Sequence, residues 1–121
     1  MTPYEIIVSE LAEADIEAIF QRLLLRSPES AVRFRNGVEG AVASLALMPE
    51  RCAIAPDNGQ LGHPIRQLIH RHGATAYRVL FSVFDEVDDA LGVVRVLRVR
   101  PGAQQHLGVD MDQPDGEQPG E

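Results

Sequence analysis

The residues best equipped for chemistry in this chain are its arginines. Residues 61–105 hold six of them against four acids, and lysine occurs nowhere in the 121 residues. Arg78, Arg95, Arg98 and Arg100 punctuate two apolar, β-branched runs, 77–83 and 93–100, and Arg66 opens a third strand-like stretch, 65–70. A guanidinium is planar, permanently charged and forks onto carboxylate or phosphate. Strands carrying this many of them present charge to an anionic partner or to acids of their own. An all-arginine choice also follows from genomic base composition, the weightier reading of residue type alone. Two chemistries are open to the set. In a nuclease the cations stabilise a developing phosphorane charge beside an acid–base group. In a binding protein they form a basic patch. Period-two alternation puts Arg98 and Arg100 on one face and Arg95 on the other.

His63, His70 and His72 suggest a metal, but zinc sites want three or four converging ligands, and no carboxylate or cysteine sits at ligand spacing nearby. Neither metal nor cofactor is expected. Cys52 is the single cysteine, in a Pro/Ala loop without a histidine partner. It can form no internal disulfide, fits a reducing compartment, and is no candidate nucleophile.

These residues must be positioned by one small domain, since 121 residues with 45% hydrophobic content build a single modest core. Residues 4–8 read as a short first strand. Ser9 is the N-cap of a helix running to about Arg26, with Glu10, Glu13 and Asp15 near the positive end of its dipole. Ala12, Ile16, Ile19, Phe20 and Leu23 form its apolar stripe. Ser27-Pro28-Glu29 starts a second helix with a cap and a proline at its first position. Its stripe is Ala31, Phe34, Val38, Ala41 or Val42, and Leu45. Gly37 and Gly40 weaken that helix by about 1 kcal/mol each relative to alanine, which suggests close approach of the two helices. Met48-Pro49 ends it, and a turn-rich connection with Pro56-Asp57-Asn58-Gly59 leads to the strand at 65–70. A loop around Gly73 comes next, then the two central strands, with Tyr77 and Phe81 as core. The order is strand, αα-hairpin, three strands: an α+β fold with an antiparallel sheet of three or four strands on a helical hairpin.

Net charge is −7, which argues against a nucleic-acid partner, but residues 106–121 carry five acids and no base. The domain proper, residues 1–105, holds eleven arginines against thirteen acids, a net of −2. Residues 106–121 read as an acidic, disordered, solvating tail. No signal peptide opens the chain, and its longest apolar run, 41–48, is too short to span a bilayer. A cytoplasmic protein with no membrane contact is expected.

Four features give the chain a family likeness. They are the Ala/Ile-patterned first helix, Ser27-Pro28-Glu29-Ser30-Ala31, Ile65-Arg66-Gln67-Leu68 ahead of Tyr77-Arg78-Val79-Leu80-Phe81, and Val96-Leu97-Arg98-Val99-Arg100-Pro101-Gly102-Ala103-Gln104. In this order, over residues 4–105, the chain resembles the RelE/ParE superfamily of toxins from type II toxin–antitoxin modules. The resemblance implies one of two activities, both silenced by a cognate antitoxin. RelE-like members are ribonucleases that cut messenger RNA on the ribosome, and there Arg78 would be the catalytic candidate. ParE-like members bind and poison DNA gyrase and are not hydrolases. The strand end departs from the ribonuclease pattern: no tyrosine occurs after Tyr77 and no lysine is present, leaving His106 as the acid–base group. The likeness therefore leans to ParE, a binding toxin, with Arg66, Arg78, Arg98 and Arg100 contacting gyrase or antitoxin. A relative that binds antitoxin without toxicity is the third reading. Operator DNA contact would belong to the antitoxin.

Overall fold

The computed structural model describes residues 3–56, 63–85 and 91–102. The acidic tail, His106, Glu86 and the Asp57-Asn58-Gly59 part of the connecting turn lie outside them.

The chain opens with strand β1 (Glu5–Val8), then helices α1 (Glu10–Leu24) and α2 (Pro28–Ala43). Two 3₁₀ turns, Ser44–Ala46 and Pro49–Arg51, lead to β2 (Arg66–His72), β3 (Thr75–Phe84) and β4 (Val93–Pro101). Both helix starts are fixed by the expected caps. Ser9 Oγ accepts from Ala12 N–H at 3.0 Å, and Ser27 Oγ accepts from Ser30 N–H at 3.2 Å. Gly73, at φ +60°, turns β2 into β3, a left-handed conformation that glycine adopts without a Cβ clash.

The apolar stripes meet in one core. Ala12 and Ile19 of α1 join Phe34, Val38 and Val42 of α2, with Leu45 just beyond it. Against them lie Tyr77, Val79 and Phe81 of β3 and Val94, Val96 and Val99 of β4. Phe34 is fully buried, with its ring centroid 5.1 Å from that of Tyr77. Arg35 clasps the hairpin from outside, its guanidinium 3.8 Å from the Phe20 ring centroid while it donates to Glu17. No helix among the described residues is long and apolar enough to cross a membrane.

Strand order is β1-β4-β3-β2, so the two β-branched runs are the central strands. β2, β3 and β4 form the antiparallel meander. β1, however, pairs parallel to β4, so the sheet is mixed and not antiparallel throughout. The helical hairpin between β1 and the meander makes this reachable: it carries the chain back before pairing, as a parallel crossover must.

The two helical glycines do not mediate helix–helix approach. A Cβ on Gly37 would come within 2.8 Å of His70 Nε2, so this glycine admits a β2 side chain against α2. Gly40 has nothing within 4 Å of the same position.

Candidate functional site

The register of β3 against β4 decides where the arginines point. Arg78 pairs with Arg100, Val79 with Val99 and Leu80 with Arg98, but Phe81 then pairs with Val96. Leu97 is skipped, leaving one extra residue on β4, a β-bulge. Directly paired residues share a sheet face. Val79, Phe81, Val94, Val96 and Val99 face the helices, so Arg78, Arg98 and Arg100 lie on the opposite, open face. Beyond the bulge the phase changes, and Arg95, paired with Ser82, is on that face too. Strict alternation places Arg95 on the other side; the extra residue at Leu97 overturns it. The spacing of the buried valines, two from Val94 to Val96 and three from Val96 to Val99, is the sequence signal of that change. Pairing with Ala76 adds Arg71 of β2 to the same face. Sequence reasoning passes over Arg71 because it lies beyond the expected end of its strand.

The arginines differ in how they are held. Arg98 is the most constrained: its Nε and Nη2 donate to the two carboxylate oxygens of Asp15 at 2.8 and 2.9 Å. Asp15 can reach it because β1 ends early. Past Val8 the first turns of α1 cover the edge of β4, with Ser9 N–H donating to Val96 O at 3.0 Å and Ser9 Oγ–H to Leu97 O at 3.0 Å. Val99 N–H then donates to Asp15 at 2.9 Å. Asp15 is thus a clamp on the sheet edge more than a dipole residue. Burial opposes its charge, yet the hydrogen bonds from Arg98 and Val99 prevail and hold its pKa below the ordinary value.

Arg78 is buried, only 7% exposed, and its Nε donates to Gln67 Oε1 at 2.9 Å. Asp85, seven residues along the chain, accepts from Tyr4 Oη at 2.9 Å. Gly102 packs directly on the Arg78 stem: a Cβ there would lie 1.8 Å from Arg78 Cδ. Arg100, Arg95 and Arg71 are exposed. Arg66 stands apart from the rest. It shares the helix-facing side with Leu68, and its Nη1 donates to Cys52 O at 2.6 Å and Glu50 O at 3.3 Å. Its role here is to pin the 3₁₀ turn beside β2.

The histidines do not converge. His70 packs against Gly37, and His72 Nε2 meets Ser30 Oγ at 2.9 Å, both on the helix side of β2. Burial lowers the pKa of each, and for His72 the neighbouring Arg33 and His70 add to it. His63 lies elsewhere, its ring 4.6 Å from Phe84. No three His, Cys, Asp or Glu side chains among the described residues are placed to hold a metal ion. Cys52 is buried, and burial pushes its thiol pKa up despite Arg51 and Arg66 nearby. It stays a protonated core thiol.

The open face is therefore a cationic surface, with the Asp15 carboxylate clasping Arg98 at its edge. Tyr77 is core, His70 and His72 are behind the sheet, and His63 sits by Phe84, six residues along β3 from Arg78, about 20 Å away. Such a face can bind anionic groups. The helices add exposed apolar positions at Leu11, Leu25 and Val32.

Comparison with known proteins agrees with the architecture. Residues 6–106 match the family model described as ParE toxin of type II toxin-antitoxin system, parDE. A solved structure titled "Chromosomal ParDE TA system from P. aeruginosa" aligns with a TM-score of 0.59 at 19% identity, covering 81% of this chain and 95% of that one. At that identity the likeness is one of fold. No curated protein matches the chain.

Proposed function

Given that the chain belongs to the ParE toxin family of type II toxin–antitoxin systems, we propose that it acts as a binding toxin on DNA gyrase and is silenced by a cognate antitoxin. The observation that carries this reading is the open sheet face. Arg95 and Arg100 are exposed there, beside Arg98, which Asp15 clasps, and the buried Arg78. Arginine forks suit carboxylates on a protein surface as well as phosphate. The antitoxin would cover the same arginines and the exposed Leu11, Leu25 and Val32 of the helical hairpin. Action on gyrase and its DNA would take place in the cytoplasm.

Induced expression in a bacterial host carrying a DNA-damage reporter tests this directly. Growth arrest with the reporter on supports gyrase poisoning. Arrest with a silent reporter moves the target to messenger RNA. Unimpeded growth, with folded protein verified, leaves only antitoxin binding.

A further inference from the structure

The arginine face has a candidate occupant within the same chain. After β4 the backbone reaches Gly102, whose N–H donates to Ala76 O at 3.0 Å and whose α-carbon rests on the Arg78 stem. Arg78 lies on the open face, so Gly102, the last described residue, sits at the arginine side of the sheet. The remaining sequence is acidic: it holds Asp110, Asp112, Asp115, Glu117 and Glu121, with no lysine or arginine from residue 103 onward. Arg71, Arg95 and Arg100 carry no ion pair among the described residues; the β1–β4 register brings Glu5 to their face, and Asp15 at its edge is taken up by Arg98. Local charge is therefore unbalanced on both sides, positive on the sheet and negative in the tail.

We propose that residues 110–121 dock in cis on the open sheet face, their carboxylates on Arg71, Arg95 and Arg100, and so occupy the surface an acidic partner must use.

Reach permits it. Asp110 lies eight positions beyond Gly102, an extended span of up to about 26 Å. Arg95 lies five residues along β4 from Arg100, about 17 Å, and β2 is two strands from β4, about 10 Å. Tethering supplies the rest: a segment on a short linker sees its site at an effective concentration on the order of millimolar, so an affinity of about 0.25 mM is enough for four-fifths occupancy. Such pairs are screened by salt, since the Debye length falls from about 10 Å at 0.1 M to about 3 Å at 1 M. A partner would have to displace the tail, which makes the tail a built-in competitor. This holds whether the partner is gyrase, an antitoxin or another acidic protein.

The test uses the full chain and phenylglyoxal, a reagent for accessible guanidinium groups, with modified sites read by mass spectrometry. The comparison is the wild-type chain against a neutral-tail variant, D110N/D112N/D115N/E117Q/E121Q, whose substitutions all lie beyond the described residues. Arg95 and Arg100 should react about fivefold faster in the variant at low ionic strength, the factor for a tail docked about four-fifths of the time. In 1 M salt the two proteins should react alike. Arg22 on α1 should react equally in both under all conditions, which controls for reagent and fold. Equal rates at Arg95 and Arg100 in low salt would overturn the proposal. Protection that grows with protein concentration would overturn it too, because the tail would then be docking on a second copy.

Discussion

Asp15 and Arg98, 83 positions apart, meet in a two-pronged clasp of 2.8 and 2.9 Å. The same carboxylate accepts Val99 N–H at 2.9 Å, so one side chain fastens α1 to the edge of β4 that β1 leaves uncovered. Its folded pKa lies below the ordinary carboxylate value, despite the opposing effect of burial. The stabilisation is therefore fully present above the unfolded pKa of about 3.9 and disappears as pH falls through the lower folded one. Asp15→Asn should cost about 2 kcal/mol at pH 7, from weakened charged hydrogen bonds. The variant should also show a shallower loss of stability between about pH 5 and pH 2 than the wild type. Urea titrations across that range decide it. An unchanged acid slope in the variant would mean that the clasp contributes nothing.

Gly37 and Gly40 sit about one turn apart on α2, and alanine should stabilise at only one of them. At Gly40 a methyl group meets open space, so Gly40→Ala should stabilise by about 1 kcal/mol through helix propensity. At Gly37 the same methyl would lie 2.8 Å from His70 Nε2 and 2.9 Å from Cε1, in the packed seam between α2 and β2. Gly37→Ala should give no stabilisation in the wild type but should recover it in a His70→Ala background. A coupling of about 1 kcal/mol in that double-mutant cycle is the expected result, and simple additivity would refute it.

The contrast between these glycines also marks what the sequence could and could not disclose. Ser9 and Ser27 act on backbone groups three residues away, and the stripes through Ile19 and Val38 repeat along their own helices. Local information suffices for all of them, and for the strands around Val79 and Val96. Partners distant along the chain are another matter. Asp15 near a helix start is already accounted for by the dipole, and nothing nearby in sequence points to Arg98. β1 has only four residues, and its choice of β4 depends on where the helical hairpin returns the chain. The bulge at Leu97 hides inside a run that is apolar on both sides, although the Val94, Val96, Val99 spacing encodes it. That single residue moves Arg95 across the sheet and completes the cationic face.

Gly102 is required by contact, not by backbone angle. A Cβ there would sit 1.8 Å from Arg78 Cδ and 2.2 Å from Cγ, against a side chain only 7% exposed. Gly102→Ala should therefore push the Arg78 stem aside, weaken its bond to Gln67 and cost about 1–3 kcal/mol by overpacking. Arg78→Ala removes the obstacle, so the double variant should be no less stable than Arg78→Ala alone. Urea midpoints of the four proteins check this. A full Gly102→Ala penalty persisting without the arginine side chain would place the strain elsewhere.

Arg66 and Arg100 should separate stability from partner binding. Arg66 lies on the helix side and holds the carbonyls of Cys52 and Glu50. Its removal leaves these acceptors without their donor, so Arg66→Ala should cost about 1–2 kcal/mol. Where enough protein stays folded, growth arrest should persist, because this guanidinium is not on the open face. Arg100 is exposed opposite Arg78 and supports no other part of the fold beyond its field on Asp15. Arg100→Ala should change stability by no more than about 0.5 kcal/mol, yet weaken both arrest and antitoxin affinity. Arg100→Glu should weaken them further by opposing an acidic partner. Urea midpoints set beside growth curves and antitoxin titrations give both readouts for each variant. If Arg66→Ala abolished arrest while folded and Arg100→Glu left it intact, the contact surface would lie on the helix side of the sheet, and the open face would not be the toxin's working surface.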